Sequence, residues 1–280
     1  MSTQRTHYVT TTDGVTIGGT VHGQGQPLVF LHGGIGDGDL DWDRLLGHLT
    51  GRFTCHLLSM RGRGLSGDHP DLSPGRQVDD VLAYIDSIGE PTGLVGWSAG
   101  ANLALGAAAR PDAVDTVDAV ALLEPPMRSL MNEQEQTVIS DAIARMGKLA
   151  VEGNLTAAAR AFASGPFNDE EIAAAEDAGY FEAAGRYVPR LLNLLQQVVA
   201  YEGPTAEDPG VLGAISAPVL VLYGSDTMPF YPASARHAAD HIPNARVREI
   251  PGAGHAAPLT HPEALAKALT DFFGATRRSG

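Results

Sequence analysis

Short apolar or β-branched runs recur along the chain, each followed by a glycine-rich turn and then by apolar residues at spacings of three and four. The runs read as strands and the spaced stretches as helices. Strands are predicted over 7–12, 15–21, 27–31, 54–59, 92–97, 117–123, 218–223 and 246–250. The first two flank Asp13-Gly14, a pair suited to a hairpin turn. Val78, Val81, Leu82, Ile85 and Ile88 fall on one face of a helix over 77–88. Further helices are expected near 41–50, over 99–110 and from Pro262 to Phe273. Strands alternating with helices predict an α/β fold: a mostly parallel eight-stranded sheet covered by helices on both faces. The rhythm breaks over 126–212. That stretch has no strand pattern and reads as helices over 133–150, 154–164, 168–177 and 180–202. The chain therefore divides into an α/β core, 1–125 and 213–280, and an inserted helical cap, 126–212.

Composition narrows the function. The 280 residues are 44% hydrophobic, too apolar for a disordered chain. Lys and Arg number 19 against 33 Asp and Glu, a net charge of −14. Such a chain has no general attraction for nucleic-acid backbones or anionic membranes. A single cysteine, Cys55, excludes an internal disulfide and a CxxC zinc site. The N-terminus lacks the apolar stretch of a signal peptide. No apolar run approaches the ~20 residues needed to span a bilayer. A cytoplasmic protein with a small-molecule partner, and neither nucleic acid nor membrane as partner, is expected. The sequence leaves room for a homo-oligomer.

The strongest chemical motif is Gly96-Trp97-Ser98-Ala99-Gly100, a G-x-S-x-G between a strand and a helix. Its glycines allow a sharp turn that presents the Ser98 hydroxyl, and the helix N-terminus beside it favours developing negative charge. A serine nucleophile needs a base. His255, in Gly252-Ala253-Gly254-His255, follows the last strand and so lies at the same sheet edge. An oxyanion needs two donors. The N–H of Ala99 supplies one, and Gly34 in His32-Gly33-Gly34-Ile35-Gly36 is assigned the other. His32 itself reads as structural. These motifs, with Arg61-Gly62-Arg63-Gly64-Leu65-Ser66, resemble the α/β-hydrolase superfamily along essentially the whole chain. The resemblance implies an α/β-hydrolase fold and a serine hydrolase that uses no metal or cofactor.

The acid of the triad has two candidates. Most members place it in a Gly-x-x-Asp after the strand that leaves the cap. Here that stretch is Gly224-Ser225-Asp226-Thr227, so the matching position holds Thr227 and Asp226 stands one residue early. Glu124, in Leu123-Glu124-Pro125-Pro126, ends the strand after the elbow strand. The arrangement resembles zearalenone lactonases, in which a Glu at this strand end is the acid. Glu124 is preferred, with Asp226 the alternative.

Aromatic and sulfur side chains in and beside the cap predict an apolar pocket for a hydrophobic ester or lactone. Trp97, Ile35, Met127, Met228 and Phe230 are the expected lining. Carbon–carbon bond hydrolysis and cofactor-free peroxidase chemistry could use the same triad, and a ligand-binding protein could keep the same shell without turnover. Other motifs carry less. Gly62-Arg63-Gly64-Leu65-Ser66-Gly67 spells a dinucleotide fingerprint but opens no helix. The alternating Asp37, Asp39, Asp41 and Asp43 lack the Gly and Glu of a calcium loop and suit a helix N-terminus. His237 and His241 lack the Glu of a zincin motif. A Ser at position 98 excludes the Asp nucleophile of epoxide hydrolases and haloalkane dehalogenases.

Overall fold

A computed structural model describes residues 5–276. Along the chain these form β1 (Arg5–Thr10), β2 (Thr16–Gly23), β3 (Gln26–Leu31), α1 (Gly38–Leu49), β4 (Phe53–Ser59), α2 (Pro74–Ile88), β5 (Thr92–Trp97), α3 (Ala99–Ala108) and β6 (Val117–Leu123). There follow α4 (Glu133–Val151), α5 (Leu155–Ala163), α6 (Asp169–Asp177), α7 (Tyr180–Gly185), α8 (Val188–Ala200) and α9 (Pro209–Gly213). The chain then resumes with β7 (Val219–Gly224), α10 (Phe230–His241), β8 (Ala245–Ile250), α11 (Ala257–Thr260) and α12 (Pro262–Thr276).

All eight strands join one sheet in the order β1-β2-β4-β3-β5-β6-β7-β8. The β1–β2 and β2–β4 pairs are antiparallel, and every other pair is parallel. The central strands β3 and β5 are buried along their whole length. Their alternate side chains serve two cores, as the period of a strand requires. Leu28 and Phe30 of β3 join Trp42, Leu45 and Leu49 of α1 and Leu269 and Phe273 of α12 on one face. Val29 and Leu31 join Val81 and Ile85 of α2 and Leu103 and Leu105 of α3 on the other. Helices α4 to α8 lie between β6 and β7. Their buried residues, among them Met146, Ile172, Phe181 and Leu191, extend the first core.

One element departs from expectation. The stretch 180–202 is two helices, with the chain turning at Arg186-Tyr187. Pro189 stands in the first turn of α8, where its missing N–H costs nothing. Arg186 and Tyr187 spend their side chains on Asp37, at 3.1 Å for Arg186 Nη2 and 2.5 Å for the Tyr187 hydroxyl. Asp37 also caps α1 by accepting the Leu40 N–H at 2.9 Å.

Two buried polar contacts fix the loops at the C-terminal edge of the sheet. Arg61 makes a two-pronged bond to Asp80 of α2, Nε and Nη2 each 2.6 Å from a carboxylate oxygen. His32 donates from Nδ1 to the Gly33 carbonyl at 2.7 Å and accepts the Met60 N–H on Nε2 at 3.1 Å. That bonding requires a neutral ring, and burial pushes its pKa down to about 4. Burial does the same to His56, also to about 4. A folded-state pKa below the unfolded value means that stability is full above about pH 6.5 and is lost as pH falls toward 4. Each ring's contribution to the unfolding free energy is expected to fall by about 3 kcal/mol over that window, on the scale of its shift. Urea midpoints of the parent and of His56→Gln at pH 7.5 and 4.5 isolate that contribution, and the same pH dependence in both would refute it.

Candidate active site

Ser98 follows the last residue of β5 and precedes the first of α3. Its backbone sits at φ 53° and ψ −119°, a left-handed conformation rare for a residue with a side chain. The turn fits because two glycines allow it. A Cβ on Gly96 would lie 2.5 Å from the Gly100 carbonyl oxygen, and one on Gly100 would lie 2.2 Å from that of Leu31. The Ser98 N–H is held by the Leu123 carbonyl at 2.9 Å, so the end of β6 braces the turn.

Among the described residues only one other non-glycine has positive φ: Glu124, at φ 50°. It stands at the end of the neighbouring strand β6, fully buried. Its Oε2 accepts from His255 Nδ1 at 2.6 Å and from the Thr227 hydroxyl at 2.9 Å. Its Oε1 accepts the Gly224 N–H at 2.8 Å. The carboxylate thus fixes the His255 tautomer, with the proton on Nδ1 and a lone pair on Nε2. Strain at two neighbouring strand ends is a sign of function rather than of chance.

His255 is buried beneath aromatic rings. Tyr231 stacks on the imidazole at 4.5 Å, with its hydroxyl 3.4 Å from Nε2. Phe167 lies over it at 6.0 Å and stacks on Trp97. The Trp97 indole N–H bonds the His255 carbonyl at 2.8 Å, tying the elbow to the histidine loop. Burial, followed by the charges of Glu124 and Glu171, holds the Tyr231 hydroxyl well above its ordinary pKa.

The loop 32–36 is pinned from two sides. Arg63 is buried, makes no ion pair within 4 Å among the described residues, and gives its guanidinium to carbonyls. Its Nη2 reaches Gly34 O at 2.9 Å and its Nη1 reaches Ile35 O at 3.0 Å. Burial pushes its pKa down to about 10. On the other side the Gly33 N–H donates to Asp41 Oδ2 at 2.8 Å, and the Tyr180 hydroxyl donates to Oδ1 at 2.9 Å. Burial pushes the Asp41 carboxyl up to about 7 against these bonds. Because the Gly33 carbonyl faces His32, the planar peptide turns the Gly34 N–H the opposite way. A Cβ on Gly34 would lie 3.9 Å from that of Ala99. The two N–H groups assigned to an oxyanion therefore belong to adjacent backbone.

Ser98, His255, Gly34, Ala99, Ile35 and Trp97 line one cavity of about 670 Å³. Its wall is mostly apolar. Leu103, Gly106 and Ala109 form one side along α3, and Leu191, Leu194, Leu195 and Val198 form the facing side along α8. Ala99 and Ala109 are ten residues apart, so the cavity runs about 15 Å along α3. It opens where Arg110, Arg128, Thr205 and Gly210 are exposed.

The expected residues do not all meet. Asp226 is exposed, and its Oδ1 accepts from the Ser225 hydroxyl at 2.9 Å instead of approaching His255. The one-residue offset decides this: Thr227, not Asp226, turns toward the site, and its hydroxyl bonds Glu124 Oε2. Met127, Met228 and Phe230 lie outside the cavity wall. Met127 is buried in the α3 core, while Met228 and Phe230 pack together beyond Tyr231. Met131 and Tyr231 line the cavity in their stead. The sequence reading gave Arg63 and Glu171 no role at the site and gave Asp41 only that of a helix N-terminus. Arg63 lay inside a recognised motif, but nothing in a one-dimensional pattern assigns its guanidinium to loop carbonyls.

A family model described as the alpha/beta hydrolase family matches residues 28–268. The chain belongs to the alpha/beta hydrolase family. It is 27% identical over 252 residues to a pimeloyl-(acyl-carrier protein) methyl ester esterase of Chromobacterium violaceum, covering 89% of this chain and 94% of that one. It is 26% identical over 265 residues to a 2-(acetamidomethylene)succinate hydrolase of Mesorhizobium japonicum, covering 93% and 92%. Among solved structures, an alpha/beta hydrolase from Sphaerobacter thermophilus superposes with a TM-score of 0.74 at 27% identity, covering 95% of this chain and all of that one. Among the described residues of this hydrolase, no helix is long and apolar enough to cross a membrane.

Arg63→Met would leave two loop carbonyls buried without donors and leave Asp41 without its nearby cation. A loss of about 3 kcal/mol is expected. Thermal or urea unfolding measures it, and a variant as stable as the parent would show that the loop does not need the guanidinium.

Proposed function

We propose that this alpha/beta hydrolase cleaves a hydrophobic carboxylic ester or lactone through an acyl-enzyme on Ser98. The observation that carries the reading is the buried Glu124–His255 hydrogen bond beside a strained serine in the wall of one apolar cavity. His255 Nε2 takes the Ser98 proton as Oγ attacks the carbonyl carbon. The Gly34 and Ala99 N–H groups receive the negative oxygen of the tetrahedral intermediate. His255 returns the proton to the departing alkoxide, leaving an ester on Ser98. Water then gives a proton to His255 and its oxygen to the acyl carbon, and Ser98 is regenerated. With a lactone the alkoxide stays attached, and the product is one hydroxy acid. Glu124 orients the imidazole and stabilises its cation throughout.

The helical insertion, 126–212, serves as the cap, and its α8 face sets the apolar character of the substrate. Among the described residues the arginines of the wall are Arg110 and Arg128, both exposed. The buried Arg63 nearby lies outside the wall, its guanidinium bonded to the Gly34 and Ile35 carbonyls. Neither arrangement offers a free buried cation for a substrate carboxylate, which disfavours charged substrates for carbon–carbon cleavage. The esterase relative, similar over nearly its whole length, supports an ester as the bond broken.

Intact-mass labelling with a fluorophosphonate is expected to add one adduct to the wild type and none to Ser98→Ala. Folded wild type that takes no label would favour a ligand-binding role without turnover. The acid is tested separately. Glu124→Gln is expected to lower kcat about 10²-fold or more, because the tautomer and the cation lose their partner. Asp226→Asn is expected to stay within about two-fold, as for a surface change. The reverse ranking in steady-state kinetics on a hydrophobic ester would sink the assignment.

A further inference from the structure

Glu171 is a buried carboxylate with no task in the scheme above. It stands at the third position of α6, in the helical insertion, with 2% of its surface exposed. Its Oε2 accepts the Asn168 N–H at 3.1 Å, and the Asn168 side chain accepts the Glu171 N–H at 2.9 Å. This reciprocal cap is complete within the helix. The other oxygen leaves it. Oε1 accepts the Ala256 N–H at 2.6 Å, one residue beyond His255. The contact is so close that only glycine fits beside it: a Cβ on Gly254 would lie 2.6 Å from Oε2.

Two backbone N–H groups donate to this carboxylate, one to each oxygen, and a protonated carboxyl would set one of its oxygens against an N–H. Burial raises its pKa above the ordinary value all the same, and the bonds from Asn168 and Ala256 and the charge of His255 oppose that rise. The other titratable groups near the imidazole are Glu124 from the end of β6, in direct contact, and Tyr231 from α10, stacked on the ring. Helix α11, packed against α6, adds no ionisable side chain. Asp226 from the β7–α10 loop is exposed and bonded to Ser225. Glu171 is therefore the second carboxylate that acts on His255, and it comes from the insertion rather than the core.

We propose that Glu171 is a positioning residue for His255: it clamps the 254–256 loop to the insertion, and its negative charge stabilises the imidazolium formed during proton transfer. It takes no proton itself; the proton passes only between Ser98, His255 and the leaving group or water. The proposal rests on the reading of His255 as the base.

The test separates the two. In Ser98→Ala protein the His255 imidazole is titrated by nitrogen-resolved NMR, which needs no turnover. Adding Glu171→Gln is expected to move the midpoint to lower pH by about one unit, the scale of removing one neighbouring charge in a partly screened site. Glu171→Asp keeps the charge and is expected to hold the midpoint within about 0.3 unit of the parent, far less than that shift. With Ser98 restored, Glu171→Gln should lower kcat about five- to ten-fold with little change in KM, and the acid limb of the pH profile should move the same way. A midpoint unmoved by Glu171→Gln overturns the proposal, even if that variant melts earlier, since helix capping alone would explain the melting. A shifted midpoint in a protein that hydrolyses no ester supports the electrostatic role and refutes the ester reading instead. If Glu171→Gln does not fold, hydrogen exchange of the parent decides. The Ala256 amide is expected to be protected about a hundredfold or more over free peptide, and an unprotected amide overturns the clamp.

Discussion

Parallel pairing of β5, β6 and β7 is the constraint from which the site follows. The ladder continues one bond past the strands on each side: Ser98 N–H to Leu123 O, and Glu124 N–H to Leu222 O. Those bonds hold two residues in left-handed backbone at adjacent strand ends. Each turn throws its side chain off the sheet edge, and the strand spacing of roughly 5 Å keeps the two within one residue's reach of a shared partner. His255 is bonded to Glu124 and shares the cavity wall with Ser98. Its loop follows β8, the edge strand, and comes back across β7 through the Asp226 N–H bond to Ala253 O. The strain in the two turns is tolerable because the sheet on both sides is buried and fully bonded.

A second level of order lies beneath the 32–36 loop. Arg63 faces its carbonyls and Asp41 faces its first amide, so each peptide is oriented by a charged group rather than by secondary structure. Both charges are desolvated, and neither is in direct contact with the other's sign. Such an arrangement contributes little to net stability and much to defining one loop conformation. Tyr180 and Tyr187 of the insertion complete it, since their hydroxyls bond Asp41 and Asp37. The insertion is thus part of what shapes the loop, not a cover laid over a finished site.

The sheet was legible in the sequence because its central strands are pure apolar runs bounded by glycine. All eight strands appear within two residues of their expected limits. Ser98 and His255 were legible because their motifs fix position relative to strand ends. Glu124 was legible only as a preference over Asp226, since register decides between them and register is a property of paired strands. The break after Gly185 was missed because Arg186 and Tyr187 bond an aspartate 149 and 150 residues away in the chain. Met127, Met228 and Phe230 were misplaced for a related reason. Apolar side chains announce burial, but not which of two adjoining cores receives them. Glu171 shows the same limit for polar residues: Asn168-x-x-Glu171 reads as a helix start, and its second bond is invisible until the fold closes.

The attachments of the insertion run along its length. Glu171, Tyr180, Arg186 and Tyr187 grip the core around α6, α7 and the start of α8. Toward the other end of α8, Gln197 accepts the Leu72 N–H at 2.7 Å and donates to the Pro70 carbonyl at 2.8 Å. Just beyond it Val198 and Val199 are 37% and 71% exposed, and the following segment lies largely at the surface. The wall that α8 gives the cavity is thus held at both of its ends. A long molecule must thread the distant mouth end first to bring its scissile bond to Ser98.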